Sequence, residues 1–259
     1  MKHIAVFASG RGSNFRAIAD HARLKVFENV EVNLLVTNDP NAQAIQIAKE
    51  YSTPHVVLEG VFGRKFASKQ EKEKARNKFD AQAIELLGQY RIDLVALAGF
   101  MQVLGPAMVG AYRFRVMNIH PAKDLVRFGG PGMFGERVHS AVLRAGENES
   151  GCTVHYVDES VDGGPVVLQS TVPVKPSDTL ESLTERILVQ EHRTYPKAIQ
   201  LHADERVVVR GGKAVVDWSG GWEERWNRRQ EPFIQHQAEQ ELSQERLLSP
   251  QHNGRVHVA

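Results

Sequence analysis

Apolar residues follow two rhythms along this chain. Short unbroken runs, His3 to Ala8, Val32 to Val36, Leu94 to Ala98 and Val116 to Ile119, have the length and content of strands buried on both faces. Between them apolar positions recur every three or four residues. Phe15, Ile18, Ala19 and Ala22 predict one helix, Ala42 to Tyr51 a second, and Phe79, Ala83, Ile84, Leu86 and Leu87 a long third from about Glu71 to Tyr90. His55 to Leu58 adds a strand, residues 60–70 read as an irregular loop, Pro106 to Tyr112 as a short helix and Glu136 to Ala145 as another. Strand and helix in alternation imply parallel strands joined by right-handed crossovers. Cys152 to Val157 then alternates residue by residue, and Val166 to Val174 follows a turn at Asp158 to Pro165. The expected fold is α/β, a Rossmann-like, mostly parallel twisted sheet of about seven strands flanked by helices, with a C-terminal extension.

The far end is patterned differently. A capped helix starts at Ser177 to Glu181 and runs past Pro196. Val207 to Val209 and Ala214 to Val216 flank Gly211-Gly212 as a hairpin. A domain over residues 1–218 is expected to end near Trp218, leaving 219–259 as a tail, partly helical or disordered. Trp222 and Trp226, four apart, would pin one helical turn to the domain, and the Gln- and Glu-rich stretch after about Arg228 reads as including disorder.

Composition removes several functions. Lys plus Arg number 32 and Asp plus Glu 31, so no net positive field argues for nucleic acid or an anionic membrane. Cys152 is the one cysteine, which excludes internal disulfides and cysteine-built zinc sites. No run approaches the roughly 18 apolar residues of a membrane span, and Ile4 to Ala8 is too short for a signal sequence. A soluble cytoplasmic protein is expected.

Two segments carry candidate chemistry. Ser9-Gly10-Arg11-Gly12-Ser13-Asn14 joins a strand to a helix, where free N–H groups and the helix dipole favour an anion. A dinucleotide fingerprint would place its third glycine at Phe15, which is too bulky, so a single terminal phosphate on Gly12, Ser13 and Asn14 is preferred to NAD; a ligand-free turn is the alternative. Arg76 lies on a solvated helix face from which it would reach a phosphate. In the second segment, Asn118 and His120 leave one strand face together before Pro121. An amide that binds a carbonyl oxygen thus stands beside an imidazole that carries a proton near neutral pH. Asp162 either caps its own turn or stands near His120, where a carboxylate would raise the imidazole pKa and fix its ring. Phe100 and Met101, after Gly99, belong to the core or line a slot for an aromatic ligand. The glycine-rich loop from Ala122 to Gly135 is either a lid or a plain connection. Cys152 reads as core and His155 as a structural histidine.

Gly10-Arg11-Gly12-Ser13-Asn14, Ala98-Gly99-Phe100-Met101, Asn118-Ile119-His120-Pro121, Asp162-Gly163-Gly164-Pro165 and Gln190-Glu191-His192 with Tyr195-Pro196 together resemble the phosphoribosylglycinamide formyltransferases. These are the folate-dependent glycinamide ribonucleotide (GAR) transformylases of the 10-formyltetrahydrofolate transferase family, and the resemblance spans roughly residues 2–217. It implies the formyltransferase fold, with a nucleotide-binding half at about 1–115 and a folate-binding, catalytic half at 116–218. It implies formyl transfer from 10-formyltetrahydrofolate to the amine of GAR in purine (IMP) synthesis, with no metal, NAD, nucleic acid or membrane partner, by a monomer or homodimer. Asn118, His120 and Asp162 match the catalytic trio, with Asn118 and a protonated His120 aimed at the formyl oxygen. Gly12, Ser13 and Asn14, helped by Arg76, would hold the phosphate, and Glu191 the ribose. Leu97, Phe100, Met101, Gln102, Val103, Leu104, Val157 and Val161 would form the folate site.

The chain departs from the family pattern in three places. Gln102 stands where the family commonly has Arg, Ala122 replaces a Ser after His-Pro, and the loop to Pro131-Gly132 is longer. The same trio serves a formyltetrahydrofolate hydrolase, whose relatives carry an added N-terminal domain, and a tRNA formyltransferase, which needs a C-terminal RNA-binding domain. A nucleotide-binding module without catalysis is the reading from another class.

Overall fold

The structure is a computed structural model that describes residues 1–248. Seven strands form one sheet in the order β3-β2-β1-β4-β5-β6-β7. These are β1 (Lys2–Phe7), β2 (Val30–Thr37), β3 (His55–Val57), β4 (Leu94–Leu97), β5 (Val116–His120), β6 (Glu149–Tyr156) and β7 (Val166–Pro173). The first five are parallel, and β6 and β7 add antiparallel at one edge.

Strand alternation divides the core. Ile4, Val6 and Ala8 pack into one apolar cluster and Ala5 and Phe7 into another, so β1 is buried on both sides, as its continuous apolar run requires. Helices cover both faces. Five precede the end of the glycine-rich loop or lie within it: α1 (Ser13–Arg23), α2 (Ala44–Glu50), α3 (Lys69–Gln89), α4 (Pro106–Ala111) and α5 (Leu125–Phe128). α6 (Glu136–Arg144) and α7 (Leu180–Ala203) follow. Buried Tyr195 of α7 ties the layers together, its hydroxyl lying 3.0 Å from the Leu97 carbonyl oxygen and 2.9 Å from that of Met117.

Strand order reverses beside β1, which has β2 on one side and β4 on the other. Open α/β sheets bind ligands in the crevice at such a point, outside the carboxyl ends of the strands. Both segments singled out in the sequence lie at those ends.

Two details go beyond what the sequence pattern specified. The glycine-rich loop contains the single helical turn α5, capped by the Asp124 side chain, which accepts from the N–H groups of Val126 and Arg127. The stretch expected to include disorder is helical through Leu248. After the hairpin of β8 (Val207–Arg210) and β9 (Lys213–Val216) come α8 (Trp222–Arg229) and α9 (Glu231–Leu248). Trp222 and Trp226 stack at 5.7 Å, Trp226 stacks on His21 of α1 at 6.1 Å, and Phe233 lies 3.9 Å from the same imidazole. All three aromatic residues join the main core, which is why a segment with few apolar residues still orders. The tail, expected to be partly helical or disordered, is helical up to residue 248, and the remainder lies outside the described residues.

Candidate active site

The end of β5 and the turn after β6 converge. Asn118 and His120 project from one face of β5, and Asn118 pairs in register with His155 of β6. The chain then turns back tightly enough that a Cβ on Gly164 would sit 1.9 Å from the Tyr156 carbonyl oxygen. That turn holds Asp162 at φ 58°, a left-handed conformation that Asp tolerates better than most residues. Its carboxylate meets four groups. The Asn118 amide nitrogen donates to Oδ1 at 3.3 Å, the Gly130 N–H donates to Oδ2 at 3.0 Å, and His120 Nδ1 lies 3.4 Å from Oδ2. His155 Nε2 is 3.6 Å from Oδ1.

His120 is buried and its Nε2 lies 2.7 Å from the Phe128 carbonyl oxygen. A carbonyl only accepts, so Nε2 carries a proton and Nδ1 is the atom that gains or loses one toward Asp162. Burial lowers the His120 pKa below its usual 6.5, and the opposing pull of Asp162 does not recover it. The raised imidazole pKa expected from the sequence is therefore corrected, because desolvation outweighs the carboxylate. Burial also pushes the Asp162 carboxyl up, but contacts with His155, His120 and the Gly130 N–H together hold it below its usual value. At neutral pH the pair is one carboxylate and one neutral imidazole.

A cavity of about 610 Å³ opens over this trio and reaches the glycine loop after β1. The residues assigned to a folate slot, Leu97 and Phe100 to Leu104 on one wall and Val157 and Val161 on the other, all line it. Gln102 turns into the wall, where its Oε1 accepts from the Val61 N–H at 2.6 Å. At the far end Gly12 takes φ 76°, where an added Cβ would meet the Ala44 Cβ at 2.9 Å. No side chain caps α1, so the first N–H groups of the helix remain free for a ligand at Ser13 and Asn14. Asn14 Nδ2 donates to Glu191 Oε2 at 2.7 Å. Burial raises the Glu191 carboxyl to about 7, with the Asn14 bond acting against it.

The structure does not bring Arg76 to this cavity. Its guanidinium faces Asp80, four residues on along α3, whose carboxylate accepts from the N–H groups of Gly105 and Met108. The lining residues not expected from the sequence include three that carry a titratable or charged nitrogen, Arg11, His139 and His155. His139 is buried, and burial lowers it to about 4. His155 is placed by the β5–β6 register, a pairing that local pattern does not encode.

Asn14 Oδ1, Gln102 Nε2 and His139 Nδ1 are buried without a hydrogen-bond partner, and all three residues line the cavity. Orphaned polar atoms gathered around one apolar slot fit a ligand that is part ring and part hydrogen-bonding group. Among the described residues no group of three or more His, Cys, Asp or Glu is placed to hold a metal ion, and no helix is long and apolar enough to cross a membrane.

A doubly wound sheet with an amide, an imidazole and a carboxylate beside an anion loop is the arrangement of a formyl transferase, and the Formyl transferase family model matches residues 2–199. The chain is 39% identical over 202 residues to phosphoribosylglycinamide formyltransferase of Bacillus subtilis (strain 168), covering 77% of this chain and 94% of that protein. It is 39% identical over 201 residues to the trifunctional purine biosynthetic protein adenosine-3 of Drosophila melanogaster, of which it spans 14% of the length and which covers 77% of this chain. The crystal structure of glycinamide ribonucleotide transformylase 1 from Symbiobacterium toebii superposes with a TM-score of 0.72 at 35% identity, covering 83% of this chain and 94% of that one. The chain belongs to the formyl transferase family and, within it, to the phosphoribosylglycinamide formyltransferases.

Proposed function

We propose that this chain transfers the formyl group of 10-formyltetrahydrofolate to the primary amine of GAR, giving formyl-GAR and tetrahydrofolate in purine biosynthesis. The observation that carries the reading is one continuous cavity with an anion loop at one end, an apolar slot along its walls and a base pair between them.

Each group has a role. The N–H groups at Gly12, Ser13 and Asn14 hold the phosphate, Glu191 accepts from the ribose hydroxyls, and the slot from Leu97 to Leu104 takes the folate ring. The neutral amine attacks the formyl carbon, an N–C bond forms, and the carbonyl electrons move to oxygen. An N–H of Asn118 meets that developing charge. The attacking nitrogen loses a proton to the Asp162–His120 pair, where Nδ1 is the free basic atom because Nε2 is held by Phe128. The C–N10 bond then breaks, and N10 leaves with a proton. Amine and N10 thus exchange one proton overall, and the site is restored.

The test is tetrahydrofolate release from 10-formyltetrahydrofolate, followed with and without GAR. Release that requires GAR supports the transferase. Release indifferent to GAR would make water the acceptor, and no release at all would leave a binding module.

A further inference from the structure

A phosphate dianion needs positive charge beyond free N–H groups where carboxylates are near. The main cavity is lined by Glu136, Asp158, Glu159, Asp162 and Glu191, and among the described residues Arg11 is the one lysine or arginine that lines it. Arg76 is turned to Asp80, beside Gly105, and does not line the cavity.

Arg11 sits inside the anion loop, between Gly10 and the left-handed Gly12 that opens α1. It is exposed and makes no ion pair or side-chain hydrogen bond with another described residue. It also lines a neighbouring cavity of about 450 Å³ between α1, α2, α7 and α9. The two carboxylates there are already engaged. Glu50 pairs with Arg16 at 2.8 Å, and Asp20 accepts from Tyr51 at 2.6 Å and from Arg23 at 2.9 Å. Among the described residues, no carboxylate on that side is left free for the Arg11 guanidinium.

We infer that Arg11 is the cationic phosphate ligand of this chain and sets its preference for a phosphorylated amine acceptor. This rests on the formyl-transfer reading and deepens it. The N–H groups of α1 fix where the phosphate sits, and a guanidinium one residue before the turn closes over its outer oxygens with charge-assisted bonds.

The experiment compares wild type, Arg11→Ala, Arg11→Lys and Arg76→Ala on GAR and on its dephosphorylated nucleoside. With GAR, Arg11→Ala should raise KM by about tenfold to a hundredfold while kcat and the folate KM stay within about twofold. Arg11→Lys should recover part of the loss. With the nucleoside, kcat/KM, which can be read without saturation, should be the same for wild type and Arg11→Ala. Arg76→Ala should behave as wild type with both acceptors. An unchanged GAR KM in Arg11→Ala, an equal loss on both acceptors, or a loss confined to Arg76→Ala would each overturn the inference. If wild type formylates neither acceptor, the activity reading fails instead, and calorimetric affinity for GAR with and without Arg11 still decides the role of the guanidinium.

Discussion

Asp162 Oδ2 lies 3.4 Å from His120 Nδ1, while the other nitrogen of that imidazole is held by the Phe128 carbonyl. Only one side of the ring is therefore free to exchange a proton, and it faces the carboxylate. Asp162→Asn keeps the shape and removes the acceptor. Turnover should fall on the order of 10²–10⁴, with KM for both substrates little changed. Steady-state kinetics checks this, and a variant with near-full kcat would remove the pair from the chemistry.

Asn118 is placed to meet charge on the formyl oxygen, a contact made fully only in the transition state. Asn118→Ala should therefore lower kcat and kcat/KM together, on the order of 10²–10³. A change confined to KM would instead make it a binding residue.

Glu191 offers a pH signature. Burial holds its carboxyl near 7, so it ionises as pH rises through neutrality and only then accepts from two ribose hydroxyls without a proton of its own. GAR affinity should tighten from pH 6 to 8, and Glu191→Gln should bind more weakly and lose that dependence beyond the titration of the phosphate itself. Calorimetric titrations at both pH values measure it. A variant with the same pH slope as wild type would count against the assignment.

Acid should unfold the protein early. Burial lowers His21, His139, His192 and His202 each to about 4, from 6.5. The unfolded chain binds protons that the fold refuses, so this stability is complete above pH 6.5 and is lost as pH falls toward 4. Each proton of difference contributes about 1.4 kcal/mol per pH unit. Glu191 acts in the opposite sense between 4.5 and about 7, but it is one group against four. Urea midpoints should drop clearly between pH 7.5 and 5.0, and an equal or higher midpoint at 5.0 would contradict the burial of these rings.

What was legible in the sequence was whatever local pattern encodes. The β1 run, the glycine turn into α1 and the same-face pair Asn118 and His120 needed only strand parity and turn chemistry. Register and long-range packing were not legible. His155 reaches Asp162 through the β5–β6 pairing, Arg76 is turned away by Asp80, and the His120 pKa depends on how deeply the ring is buried. The helices after Trp218 order because Trp226 and Phe233 find His21, a partner about 200 positions earlier in the chain, and Trp222 stacks on Trp226.

In the proposed reaction the amine of a phosphate-anchored acceptor, and not water, takes the formyl carbon beside His120 and Asp162. Supplying 10-formyltetrahydrofolate labelled with ¹³C in the formyl group, together with GAR, and following the label by NMR tests it directly. The label should appear as a formamide on GAR with wild type and be nearly absent with Asp162→Asn. Label accumulating as free formate, at the same rate with or without GAR, would contradict it.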